Sequence, residues 1–351
     1  MKNNLKLSLI LFIFIISGCS VSFSTSTSQK DLGGLLKSIN HGDTWEQKTS
    51  IPKESGKPGS FNGLNTNSMA IDPNDNLALY FGSLEAGLFY SYDGGNGWAR
   101  ATSLGNIKIN SIAVDPKSKC IIYVSSGSKL YKTTDCNRSY TAVYYDNKID
   151  TQINAIAINS YNGNILIGTS RGDLIISEDG GKKWAVANRF NNNIIKILIP
   201  LNGNKTIFVG TKDKGLFRST DDGKTWEDLN ENLKDFSSSK NIKDIAVSKS
   251  EKDLIIIATN YGLLRSRDNG KSWGKIELIT PEKKATINSL VVSDLKSDYL
   301  YYVTETTYYY SLDGGKRWST RRLPSKKSGW KLLVDPIDPN IVYVGVKQLT
   351  N

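Results

Sequence analysis

Apolar and polar residues alternate along this chain in short runs, most of them closed by Gly, Pro, Asn or Asp. Residues 109–145 show the unit: INSIAVDP (109–116), CIIYVSS (120–126), KLYKTT (129–134) and YTAVYY (140–145). Runs of this length, rich in Val, Ile and Tyr and punctuated by turn residues, predict β-strands. Four in close succession predict an antiparallel meander. The first run of the unit returns as NSMAIDP (67–73), INAIAIN (153–159), IKILIP (195–200), IKDIAVS (242–248), INSLVVS (287–293) and WKLLVDP (330–336). Repetition of a four-strand unit therefore governs the fold.

Between the third and fourth runs stands an octapeptide that occurs seven times: SINHGDTW (38–45), SYDGGNGW (91–98), TTDCNRSY (133–140), SEDGGKKW (177–184), STDDGKTW (219–226), SRDNGKSW (266–273) and SLDGGKRW (311–318). The common pattern is Ser/Thr-x-Asp-x-Gly-x-x-Trp. Its third residue is Asn40, Asp93, Asp135, Asp179, Asp221, Asp268 or Asp313. Its eighth is Trp45, Trp98, Tyr140, Trp184, Trp226, Trp273 or Trp318, and successive copies are 42 to 53 residues apart. Asp or Asn followed by Gly between two strands makes a tight turn. The side-chain oxygen bonds nearby amides and Gly supplies a positive φ. The aromatic eighth residue re-enters the next strand and packs there. These residues are expected to be scaffold.

The octapeptide resembles the Asp-box, or BNR, repeat of sialidases, sortilin ectodomains, two-domain xyloglucanases and photosystem II assembly-factor lipoproteins. The resemblance covers nearly the whole chain after its leader and implies a β-propeller, a fold that hosts many functions. It also implies that each box joins the third and fourth strands of a blade, on the rim away from the usual binding face. The segment GLFRSTDDG (215–223) and the Asp-Pro turns are similar to sortilin or xyloglucanase blades. The two ends of the chain complete each other. DLGGLLKSINHGDTW (31–45) supplies a third strand, a box and a fourth strand, whereas WKLLVDP (330–336) and IVYVGV (341–346) supply a first and a second. The expected fold is all-β, a single seven-bladed propeller of four-stranded antiparallel blades. Pairing of its N- and C-terminal strands in one blade removes the exposed sheet edges.

The start, MKNNLKLSLILFIFIISGC, has Lys2 and Lys6 before an apolar run from Leu7 to Ile16, too short to span a bilayer. Ile16-Ser17-Gly18-Cys19 resembles the lipobox of bacterial lipoproteins. That resemblance implies a signal peptide over 1–18, a lipidated Cys19, a flexible tether over 19–30 and the propeller over 31–351. An ordinary secretory signal is the alternative. Localisation follows as exported and lipid-anchored to a bacterial membrane, at the outer membrane or cell surface. The other cysteines, Cys120 and Cys136, then form either a disulfide or two unpaired thiols. With His41 as the single histidine, no Cys/His zinc site can be assembled. No metal or cofactor is expected.

Lys and Arg exceed Asp and Glu to a net charge of +11. On a cell envelope such an excess points to an anionic neighbour: lipid headgroups, an acidic glycan or an acidic protein face. The export signal argues against nucleic acid. In a propeller, the second-to-third turns and the loops leading into first strands share one face. That placement selects Arg171, Lys212, Lys214, Tyr144, Tyr145, Tyr261, Arg321, Arg322, Lys326 and Lys327 as the candidate binding face. The segment 46–66 is the most irregular loop and is expected to overhang the pore. Seven basic and no acidic residues fall between Lys316 and Lys331. This run either grips a carboxylate, phosphate or sulfate surface or is a solvated loop.

Catalysis finds little support. The Arg-Ile-Pro segment of sialidases is missing, and that family has six blades. Xyloglucanases work with paired carboxylates across a cleft between two propellers, and the repeats here make one. Serine or cysteine chemistry needs a histidine base, and His41 lies within a box. Asp72, Asp115, Asp335 and Asp338 read as turn formers. The expected function is a membrane-anchored, non-enzymatic binding or assembly-scaffold protein, monomeric, presenting one loop face to a protein partner with an acidic surface. The alternative is a carbohydrate-binding protein or glycoside hydrolase with no assigned catalytic residue.

Overall fold

The computed structural model describes residues 32–200, 205–284 and 286–349. The signal segment, Cys19 and the tether lie outside them. The described chain folds into seven four-stranded antiparallel sheets and one small two-stranded sheet. Blade 1 is Thr66–Asp72, Asp75–Ser83, Leu88–Ser91 and Ala99–Arg100; blade 2 is Ser111–Asp115, Ser118–Ser126, Lys129–Thr133 and Thr141–Tyr145. Blade 3 is Ile153–Ile158, Ile165–Thr169, Asp173–Ser177 and Ala185–Arg189; blade 4 is Ile194–Leu198, Ile207–Thr211, Leu216–Ser219 and Glu227–Asp228. Blade 5 is Ile242–Val247, Ile255–Thr259, Leu263–Ser266 and Gly274–Ile276; blade 6 is Ser289–Val292, Leu300–Val303, Thr307–Ser311 and Ser319–Arg322.

Blade 7 is shared between the ends of the chain. Ser328–Val334 and Val342–Lys347 are its first and second strands, and Leu35–Ser38 and Glu46–Gln47 its third and fourth. The join is a four-residue antiparallel register from Leu35 opposite Gly345 to Ser38 opposite Val342. The first strands touch their neighbours in turn around a complete circle, blade 7 against blade 1 included. The expected seven-bladed ring, closed by its termini, is the observed fold.

The core is not one cluster but seven, each filled from two adjacent blades. Between blades 3 and 4, for instance, Leu166 and Leu174 meet Ile194, Ile197 and Val209. Between blades 7 and 1, Leu35 and Tyr343 meet Leu79, Phe81 and Trp98. A blade alone leaves both faces of its sheet uncovered, so burial is completed only by its neighbours. Close approach at these interfaces uses small residues. A Cβ at Gly168 would run into the Ile194 side chain of the next blade.

Each octapeptide closes by the same three bonds. In blade 4, Ser219 Oγ donates to Asp221 Oδ1 (2.8 Å) and accepts from the Gly223 amide (2.8 Å). The Thr225 amide donates to Asp221 Oδ1 (2.9 Å). The equivalent bonds recur in the other six copies. The fifth residue is left-handed even where it is not Gly: φ is 88° at Gly223 and 71° at Asn137. Asn tolerates that region better than most side chains. Trp98, Trp184, Trp226 and Trp273 each donate an indole N–H to the carbonyl of the fifth residue of their own copy.

Segment 46–66 departs from expectation. It does not overhang the pore. Ser50–Ile51 pairs with Gly59–Ser60, the Trp98 amide donates to the Ser50 carbonyl, and Phe61 is buried against Phe81, Phe89 and Trp98. The apolar Phe61 draws the loop onto blade 1, a contact its irregular, Gly-rich sequence did not advertise. Cys120 and Cys136 are joined by a disulfide that links the second strand of blade 2 to its octapeptide.

Candidate functional site

Because the strands of each blade alternate in direction, the second-to-third turns and the loops into first strands emerge on the face opposite the octapeptides. Arg171 sits in the blade 3 turn, and Lys212 and Lys214 in the blade 4 turn. All three are exposed, and among the described residues their side chains have no hydrogen-bond or ion-pair partner. Arg322, at the end of the last strand of blade 6, is exposed in the same way, and Lys326 is exposed on the loop beyond it. Tyr145 is 61% exposed, with Lys129 Nζ 5.9 Å from its ring centre.

The remaining candidates are held in place by the fold. Tyr144 packs on Trp184 across the boundary between blades 2 and 3. Burial, with Asp146 close by, pushes its phenol up to about 12. Arg321 Nε and Nη2 both donate to Asp43 Oδ1, at 3.0 and 2.6 Å, so its charge is spent on the octapeptide of blade 7. Lys327 Nζ donates to the Gly63 carbonyl at 2.6 Å and fastens the 46–66 segment. The basic run from Lys316 to Lys331 is therefore not one patch: Arg317 pairs with Asp313 inside its own octapeptide, Arg321 bridges blades, and Lys331 points inward to the channel. A linear cluster of like charges is dispersed because a strand and two loops carry its members to different places.

Tyr261, in the blade 5 turn, lines a cavity of about 460 Å³ with Lys275, Glu277, Leu278, Pro281 and Glu282. Phe236 stands edge-on to the tyrosine ring at 5.3 Å. Lys275 Nζ binds Glu277 Oε1 at 2.7 Å and Glu282 Oε1 at 3.2 Å. Hydrogen bonds from Tyr261 and Lys275 hold the Glu282 carboxyl below its ordinary value. A glycosidase acid needs the opposite shift, upward, to carry a proton at neutral pH. These two carboxylates share one ammonium and make a polar rim with an aromatic wall.

The central channel holds charges that reading the loops did not reveal. Facing the second-strand positions Gly82, Ser125, Gly168, Gly210, Ala258, Val303 and Gly345, small in all but Val303, the seven first strands place one residue each: Ser68, Ser111, Ala155, Lys196, Asp244, Ser289 and Lys331. Lys196, Asp244 and Lys331 thus share the channel wall. The clue was present in sequence, since IKILIP, IKDIAVS and WKLLVDP put a charge where equivalent runs carry Ser or Ala. Only the ring shows that these charges converge.

Among the described residues no group of three or more His, Cys, Asp or Glu is placed to hold a metal, and no helix is long and apolar enough to cross a membrane.

No family model matches the chain. The fold is that of known propellers. A GH74 xyloglucanase from Xanthomonas campestris superposes with a TM-score of 0.65 at 15% identity, covering 81% of this chain and 51% of that one. YCF48 bound to a D1 peptide gives 0.61 at 18% identity, covering 81% of this chain and 93% of that one. In sequence, a xyloglucanase from Paenibacillus is 31% identical over 152 residues, which is 35% of this chain and 14% of the relative. The chain thus spans about half of the xyloglucanase structure, and its match covers about a seventh of the curated relative.

Proposed function

We propose that this protein is a membrane-anchored, non-enzymatic binding module that presents the loop face of its propeller to an acidic segment of a protein partner. The observation that carries this reading is the set of exposed cations on that face, Arg171, Lys212, Lys214 and Arg322, whose side chains make no ion pair within the described chain. Charges already neutralised at home, such as Arg321, add nothing to an encounter. Unpaired ones steer it and set its salt dependence. Tyr145 borders the same face and adds an amphipathic aromatic. The lipobox-like segment ending at Cys19 supports anchoring at the outer membrane or cell surface, the tether giving the propeller freedom to meet its partner. That one protein of this fold has been solved with a peptide bound is compatible with the reading.

The test is capture from solubilised envelope with the lipidated protein as bait, at low and high salt. Reversal to Glu at Arg171, Lys212 and Lys214 together is expected to weaken a captured partner roughly 30-fold, at about 0.5–1 kcal/mol for each exposed charge. A partner retained equally by the reversed variant would refute the choice of face.

A second reading, carbohydrate binding, is favoured by the local identity to xyloglucanases and by the aromatic wall at Tyr261. It predicts that xyloglucan oligosaccharides bind and that Tyr261→Ala abolishes binding. Retained binding in that variant, or none in the parent, removes this reading.

A further inference from the structure

The channel wall carries a charge that the protein does not balance. Asp244 is saturated: its Oδ1 is bound by Lys196 Nζ at 3.1 Å and by the Ile245 amide at 2.9 Å. Its Oδ2 accepts from Ser289 Oγ and from the Leu290 amide, both at 3.0 Å. Burial works against its ionisation, but Lys196, Lys331 and the Leu290 amide together hold the carboxyl below its ordinary range. One carboxylate therefore faces two ammonium groups. Lys196 has taken one side of it, and the Lys331 ammonium makes no hydrogen bond among the described residues.

A second side chain in the same cavity is also incomplete. Ser111 opens the first strand of blade 2 on the channel wall, and its hydroxyl makes no hydrogen bond among the described residues. An ammonium drawn partly out of water without a hydrogen-bond partner costs free energy. The two fall on the wall of one space of about 230 Å³, open in part to solvent and lined otherwise by Ser68, Asn110, Asn154 and apolar side chains. That volume accommodates a group of a few heavy atoms.

We propose that the channel is a binding site for a small carboxylate, held by Lys331 with Lys196 beside it and a hydrogen bond from the Ser111 hydroxyl. A single negative charge restores neutrality to the three-charge cluster, and a planar oxyanion accepts from an ammonium and a hydroxyl at once. A dianion would overcompensate it and sit against Asp244. Burial lowers the Lys331 ammonium from its ordinary value and Asp244 raises it again, so a bound anion would further favour the charged form. A free metabolite-sized acid and the acidic side chain of an inserted segment share this chemistry. The inference does not rest on the loop-face reading, because none of Arg171, Lys212, Lys214 or Arg322 lines the cavity.

The experiment is a titration of the full chain with sodium acetate at pH 7, read by calorimetry and by thermal unfolding, with Lys331→Met measured beside it in the same salts. The parent is expected to bind one acetate and to show a saturable rise in Tm. Lys331→Met is expected to lose at least tenfold in affinity and to show only the general salt response. Should that variant fold poorly, Ser111→Ala leaves every charge in place and is expected to weaken acetate several-fold. A capped glutamate peptide that competes with acetate identifies an inserted side chain as the natural source, and acetate binding without such competition identifies a free acid. No saturable acetate binding to the parent, or binding in Lys331→Met and Ser111→Ala identical to the parent's, overturns the proposal.

Discussion

Removing one hydroxyl from one octapeptide tests whether these turns hold the blades together. In Ser219→Ala the Gly223 amide loses its acceptor, and Asp221 loses one of its donors. Ser219 is 1% exposed and Gly223 is buried, so water does not readily replace the lost bond. A buried amide left unsatisfied costs about 1–3 kcal/mol, and the volume of one oxygen adds little, so a loss of about 2 kcal/mol is expected. With a urea slope of roughly 3 kcal/mol/M for a domain of this size, the midpoint falls by about 0.7 M. Trp226, in the same copy, donates its indole N–H to the Gly223 carbonyl and reports the transition by fluorescence. Asp221→Asn is the control. The copy at 38–45 already carries Asn40 there, whose Oδ1 accepts from Ser38 Oγ and the Thr44 amide just as an aspartate does. The control should therefore shift the midpoint much less. An unchanged midpoint in Ser219→Ala, or an equal loss in Asp221→Asn, would refute the claim that the buried hydroxyl organises the turn.

Three further outcomes follow from the fold. Reducing the Cys120–Cys136 bridge, which closes a separation of 16 residues, should cost about 3 kcal/mol by loop entropy, seen as a lower urea midpoint in dithiothreitol that Cys120→Ser/Cys136→Ser no longer shows. Gly168→Val should destabilise by about 2–3 kcal/mol, because its side chain meets Ile194 across the blade boundary, and calorimetry should register the fall in Tm. The Thr225 and Ser139 side chains and amides hold Asp221 and Asp135 down to about 2. Unfolded aspartates titrate near about 3.9. The stability these groups contribute is thus whole above that pH and is lost as pH falls from about 4 towards 2; a urea midpoint flat across that interval would contradict it.

Much of this architecture is visible without coordinates, for a physical reason. A strand's alternation and a turn's Asp-Gly chemistry are local, and seven copies of one turn multiply a weak signal into a strong one. The closure of blade 7 was also legible, since residues 31–45 read as a third strand, an octapeptide and a fourth strand, and 330–346 as a first and a second. The binding face was legible only in part. Arg171, Lys212 and Lys214 lie where the topology puts them, yet Arg321 and Lys327 are engaged by Asp43 and the Gly63 carbonyl, residues far away in sequence. Phe61 likewise redirected a loop through partners on blade 1 that stand further along the chain.

What the sequence by itself determined is the repeating unit, the turn chemistry and the number of blades, all set by residues within a few positions of one another. What only the tertiary structure decided is which charges remain free and which converge. Lys196, Asp244 and Lys331 come from three separate blades, and closing the circle sets them on one channel wall. Electrostatic interaction depends on distance through space, and in a ring that distance is fixed by closure, not by separation along the chain.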